Sequence, residues 1–306
     1  MTFEVSRMDM KYCDVRSLLK EEPQRLNEIL QKVKENTKTE CINIKTKISS
    51  ERLSTTCSKF GGVPYWPNNR SDYPKTNKGI PLTMLAQINF SELPQNNVFP
   101  DKGLLQFYIW NADDMGNYKV VFHKDCDIPL HPATNSLPTS LMEESVTITW
   151  VGKAHSIVTN PFWGEPGFPL TGEMALEFSR GYDFVNVTEN CFDKEFIKAA
   201  RQLDIPISDD FNVYPLPDEC GNEWYEISCG HKLLGRPCFI QNDYRDGEDK
   251  DDILLFQIDS AWSDSGEEDK DHSIVLGDAG TAGFFIKPGD LKKLDFSNVF
   301  FDWSCC

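Results

Sequence analysis

Apolar residues along the chain follow two periods, one helical and one extended. Between residues 17 and 36, Leu26, Ile29, Leu30 and Val33 stand at i, i+3, i+4 and i+7 among Lys, Glu and Gln, which predicts an amphipathic helix. Pro23 suits its first turn, where a missing N–H sacrifices no hydrogen bond. From Cys41 to Ile48 the pattern changes to alternation, with Ile42, Ile44 and Ile48 among polar residues, as a half-buried strand requires. Leu82 to Phe90, Leu104 to Trp110, Tyr118 to Phe122 and Val146 to Val151 read as further strands. Asp193 to Leu203 reads as a short helix with Phe196, Ile197, Ala200 and Leu203 on one face. Gly61, Gly62, Pro64, Pro67, Pro74 and Gly79 crowd a segment that can only be turns and loops. The stretch from Leu291 to Trp303 predicts a helical turn and a final strand.

Three short patterns recur in the same order. Ser58 to Pro64 matches His231 to Pro237, Leu85 to Asn89 matches Leu255 to Asp259, and Gly103 to Ile109 matches Gly280 to Ile286, at offsets of 173, 170 and 177 residues. Such small drift is what loop-sized insertions leave after an internal duplication. The expected organisation is one domain over 1–306: a helix at about 17–36, repeat one at 57–122, a variable middle at 123–227 and repeat two at 228–306.

Composition narrows the class. With 306 residues, 40% hydrophobic and 12% aromatic, the chain can bury a sizeable core. It has no apolar run long enough to span a bilayer and no signal-like N-terminal core, so no membrane role and a cytoplasmic location are expected. Ten cysteines scattered through such a chain are expected to be thiols. Cys220, Cys229, His231 and Cys238 lack the tight pairing that presents two ligands to one zinc, so no metal and no cofactor are expected. The net charge is −17, and residues 243–272 hold 12 acidic and 3 basic side chains, supplying −9 of it. That balance disfavours nucleic acid and suits either solvation or a basic protein partner. Oligomeric state is left open by the sequence.

Lys59-Phe60-Gly61-Gly62-Val63-Pro64-Tyr65, the two Gln-centred segments, Gly277-Asp278-Ala279-Gly280, Phe284-Phe285-Ile286 and the ending Asp295 to Trp303 together resemble the YwqG family, over at least residues 57–306. The resemblance implies an α+β fold of mostly antiparallel β structure, built from two intertwined internal repeats with a few peripheral helices. It implies no particular activity. Relatives often have Ser at the position of Ala279, and alanine offers no nucleophile.

Candidate chemistry is sparse. Gly277, Gly280 and Gly283 are followed by a strand, whereas a phosphate loop needs a helix there, so a bulged hairpin is expected. Gln87 and Gln257 sit at equivalent positions in apolar strands. They are either a structural pair satisfied by backbone groups or, with Asp278, ligand-binding residues in a groove between the repeats. Cys229 and His231 are the nearest Cys-His candidates, and no nucleophile motif surrounds them. The leading expectation is a non-enzymatic interaction module. Its partner-binding residues are Phe162 and Trp163, in the aromatic proline-rich loop, and Glu267, Glu268, Asp269 and Asp271, in the acidic segment. The alternative is a small-molecule-binding protein or enzyme using the Gln87, Gln257 and Asp278 groove.

Overall fold

The computed structural model describes residues 15–49, 53–110, 116–128, 168–170, 172–211, 213, 224, 227–247, 251–261 and 273–305, and the backbone of 145–150 and 153–158. At the N-terminus, helices α1 (Val15–Glu21) and α2 (Pro23–Thr37) replace the single helix that periodicity predicts. The break has a local cause. Proline disfavours the helical region for the residue before it, and Glu22 takes φ −142° and ψ 66°. α2 buries Leu26, Ile29, Leu30 and Val33, the predicted stripe.

The strands in chain order are β1 (Thr39–Ile48), β2 (Lys59–Phe60), β3 (Thr83–Asn89), β4 (Leu104–Ile109), β5 (Tyr118–His123), β6 (Ser145–Trp150), β7 (Lys153–Val158), β8 (Met174–Asp183), β9 (Lys232–Leu234), β10 (Ile253–Asp259), β11 (Thr281–Ile286) and β12 (Phe300–Ser304). β6 and β7 pair only with each other. The other ten form one antiparallel sheet in the order β12-β11-β10-β9-β1-β8-β2-β3-β4-β5. With α3 (Phe192–Gln202) and the short α4 (Pro288–Leu291), the fold is α+β and mostly antiparallel β.

The sheet curls so that its flanks face each other. Phe107 of β4 lies with ring centroids 4.6 Å from Phe256 of β10 and 4.8 Å from Phe284 of β11, and Tyr118 of β5 lies 5.6 Å from Phe301 of β12. Between them the inner faces of β3, β4, β10 and β11 form the main core. These strands are buried along nearly their whole length, which explains their continuous apolar sequence. A second core joins α1, α2 and α3 with Val185, Phe211, Val213 and Trp224.

Both flanks carry the same irregularities. The β3–β4 ladder shifts register between Met84 and Ala86, and the β10–β11 ladder between Leu254 and Phe256. Left-handed backbone follows β2 at Gly61 (φ 64°) and Gly62 (φ 71°), and recurs at Leu234 (φ 61°) and Gly235 (φ 79°). Gly235 has a second reason to be glycine, since a Cβ there would lie 2.2 Å from Asp183 Oδ2 and 2.6 Å from the Cβ of Cys41. Gly79, at φ 83°, would meet nothing. Gly79→Ala is therefore expected to lose about 1 kcal/mol and Gly235→Ala about 3 kcal/mol in urea unfolding, because backbone strain and overpacking add only at the second site.

Candidate partner-binding surface

The acidic segment is more divided than its sequence suggests, because β10 runs through its middle. Asp243 is buried, and its Oδ1 and Oδ2 each accept a bond at 2.8 Å from Arg245, which also donates to buried Glu189 at 2.9 Å. Asp252 is buried beside Lys287, with Nζ 2.7 Å from Oδ1. Asp259 accepts from the backbone N–H of Gly230 at 2.8 Å and from the Thr281 hydroxyl at 2.9 Å. Among the described residues, three carboxylates of the segment thus serve the fold. Asp246 and Asp251 are exposed. Glu267, Glu268, Asp269 and Asp271 lie outside the described residues, as do Phe162 and Trp163.

The ends of both outlying segments are described, and they meet. Ala261, where the chain enters residues 262–272, bridges Ile274, where it returns. Ala261 N donates to Ile274 O at 2.9 Å and Ile274 N to Ala261 O at 3.2 Å. Ile274 also bridges Leu170, and Val275 N donates to Pro169 O at 2.8 Å. Pro169 is the last residue of the aromatic proline-rich stretch from Asn160 to Pro169, and Leu170 follows it. Ile274, Leu276 and Leu170 point into the main core, whereas Val275 between them is 42% exposed. Alternation thus anchors the root on one side and leaves an apolar side chain outside. Ser260 ties the root to the next turn. Its Oγ donates to Gly280 O at 3.0 Å and accepts from Leu276 N at 3.0 Å.

In that turn Asp278 is exposed, between Gly277 (φ 58°) and Ala279 (φ 71°). The structure does not bring it together with the glutamines on one accessible surface, because Gln87 and Gln257 are fully buried. Gln87 Nε2 donates to Thr55 O at 2.9 Å and Cys57 O at 2.7 Å, and its Oε1 accepts from Tyr65 N at 2.9 Å and Gln106 Nε2 at 2.8 Å. Gln257 repeats the arrangement. Its Nε2 donates to Ser228 O and Gly230 O, and its Oε1 accepts from Cys238 N, all at 2.9 Å. Each amide holds two loop segments against its strand, as a buried amide must find partners.

The described histidines are similarly engaged. His231 Nδ1 accepts the Asp259 backbone N–H at 3.0 Å, which requires a neutral ring, and burial pushes its pKa down to about 4. His123 Nε2 bonds Gln106 Oε1 at 2.8 Å, and burial pushes its pKa to about 4 as well. Burial raises the pKa of the Cys57, Cys126 and Cys191 thiols, and raises that of Cys41 to about 12 with help from Asp183. Among the described residues no group of His, Cys, Asp and Glu is placed to hold a metal, and no helix is long and apolar enough to cross a membrane.

Sequence reasoning missed the shared root, because its bridging residues are single positions with no periodic signal. It also missed two buried lysines, Lys59 and Lys232, although each occupies the same place in its matched segment. The antiparallel scaffold and its glycine turns define the class of domain. Residues 58–305 match a domain of unknown function (DUF1963), so the chain belongs to that family. No curated protein matches the sequence.

The two buried histidines set a pH dependence. Their folded pKa values lie below the ordinary 6.5, so the stability they contribute is complete above pH 6.5 and is lost as pH falls towards about 4. Each is expected to cost at most about 3 kcal/mol across that window. Urea unfolding of the His231→Asn variant, whose Oδ1 can still accept the Asp259 N–H, should show a shallower loss over the same range.

Proposed function

We propose that this protein is a non-enzymatic binding scaffold that offers one composite surface, acidic and aromatic, to a basic protein partner. The observation that carries the reading is the Leu170–Ile274–Ala261 root, from which the loop bearing Phe162 and Trp163 and the segment bearing Glu267, Glu268, Asp269 and Asp271 both depart. Exposed Val275 lies at the same root. Negative charge would steer a basic partner, and aromatic side chains would supply buried contact area. A cytoplasmic setting belongs to this reading. A ligand groove between the flanks draws less support, since Gln87 and Gln257 have committed their polar atoms to backbone groups and, for Gln87, to Gln106 as well. An enzymatic role draws little from His123, His231 and the Cys41 thiol, whose pKa values burial moves away from neutrality in the unreactive direction.

We further infer that the two flanks are intertwined copies, as the YwqG-like resemblance implies. The three amide contacts of Gln257 each correspond to a contact of Gln87 at an offset of 173: Thr55 with Ser228, Cys57 with Gly230, Tyr65 with Cys238. The exchange of strands supports the intertwining, because β1 pairs with β9 of the far flank and β8 with β2 of the near one.

Replacing Glu267, Glu268, Asp269 and Asp271 with Ser is expected to leave unfolding free energy within about 0.5 kcal/mol of wild type. Association with a basic partner recovered from the native host should slow about tenfold at low salt, with the difference shrinking as salt rises. Phe162→Ala with Trp163→Ala should instead speed dissociation about tenfold. Stopped-flow rates indifferent to both sets of changes would overturn the reading.

A further inference from the structure

One glutamine positions a pair of thiols. From the middle of β10, Gln257 holds Ser228 O and Gly230 O, on either side of Cys229, and the backbone N–H of Cys238. The sulfur atoms of Cys229 and Cys238 then lie 2.7 Å apart, and both residues are thiols in this structure. Closing that gap to a covalent bond needs a movement of less than about 1 Å. Cys229 is exposed and Cys238 is buried. In the opposite flank Gln87 makes the same three contacts, but Thr56 and Tyr65 stand where the cysteines would be. The clamp is common to both flanks, and the dithiol belongs to one.

We propose that Cys229 and Cys238 form a redox modification site, a dithiol that closes to a disulfide by exchange with a small oxidised disulfide such as glutathione disulfide. Exposed Cys229 reacts first. It gives its proton to solvent and attacks one sulfur of the reagent, so that a Cys229–glutathione bond forms as the reagent's S–S bond breaks. The departing glutathione thiolate takes up a proton. Cys238 then loses its own proton and attacks the Cys229 sulfur, expelling the second glutathione as thiolate, which is protonated in turn. Two protein thiols are oxidised and one glutathione disulfide is reduced to two glutathione molecules. The bond would fix covalently what Gln257 holds by hydrogen bonds, tying the segment before β9 to the segment after it. In a reducing compartment the dithiol persists, and the closed form accumulates when glutathione becomes oxidised.

The full chain, equilibrated in mixtures of reduced and oxidised glutathione and then denatured and alkylated, tests the proposal. Alkylatable thiols should fall from ten to eight, ten less the pair, and dithiothreitol should restore them. Peptide mapping of the wild-type chain should locate the link between Cys229 and Cys238, and Cys229→Ser should abolish it while exposed position 229 tolerates the change. A count that stays at ten, a loss that maps to other cysteines, or a glutathione adduct left on Cys229 without ring closure would overturn it.

Discussion

The ladder between β1 and β8 is the contact on which the rest of the sheet depends. It runs unbroken from Thr39 opposite Asp183 to Ile48 opposite Met174, and within the sheet the hydrogen-bonded path from either flank to the other passes through it. β9 hangs on β1 through Cys41, Ile42 and Asn43, and β2 hangs on β8 through Ala175 and Met174. Buried ammonium groups guard both ends of β8. Lys232 donates to Asp183, the last residue of the strand, at 2.8 Å. Lys59 donates to Ser54 O at 2.9 Å and lies 4.0 Å from Glu173, the residue before the strand begins. A buried charge tolerates little displacement from its partner, so these pairs specify where β2 and β9 dock more than they add to stability. Gly181 leaves room for the Asn43 side chain of β1, since a Cβ there would lie 2.4 Å from its nitrogen.

What the sequence made legible follows from how each element is buried. β3, β4, β10 and β11 are covered on both faces, so their apolar runs announced them, and α3 announced itself through Phe196, Ile197 and Ala200 on one face. β8 did not, although it is central. Its buried positions are Met174, Leu176 and Asp183, and the intervening run of exposed and half-exposed residues includes Gly181, a strand-weakening residue. β2 and β9 are too short to carry a period, and their place is set by Lys59 and Lys232, which hydrophobic patterning reads as surface. Charge counted over residues 243–272 as a whole does not separate the carboxylates that flank the strand from those that face solvent. Asp243 and Asp252 fold inward because arginine and lysine meet them there.

The root of the candidate surface is anchored in the core. Ile274 and Leu276 are held by the same apolar cluster that contains Phe256 and Phe284, so the root of the acidic segment is part of the scaffold. Leu170 fastens the other segment to that root while remaining in the same cluster. A binding loop carried on such an anchor loses less conformational freedom at its base when a partner docks, which is the advantage of a preorganised site. On the proposed reading the chain separates two tasks. Buried amides, lysines and histidines fix the scaffold, and the residues leaving the Ile274 root take the part of recognition.

Hydrogen exchange across the whole chain, with and without a basic partner recovered from the native host, tests this division most directly. The account predicts that binding slows exchange in residues 159–170 and 262–275 together, while β1 and β8 exchange equally slowly in both states. Protection confined to one of the two segments, or centred on another part of the sheet, would contradict it.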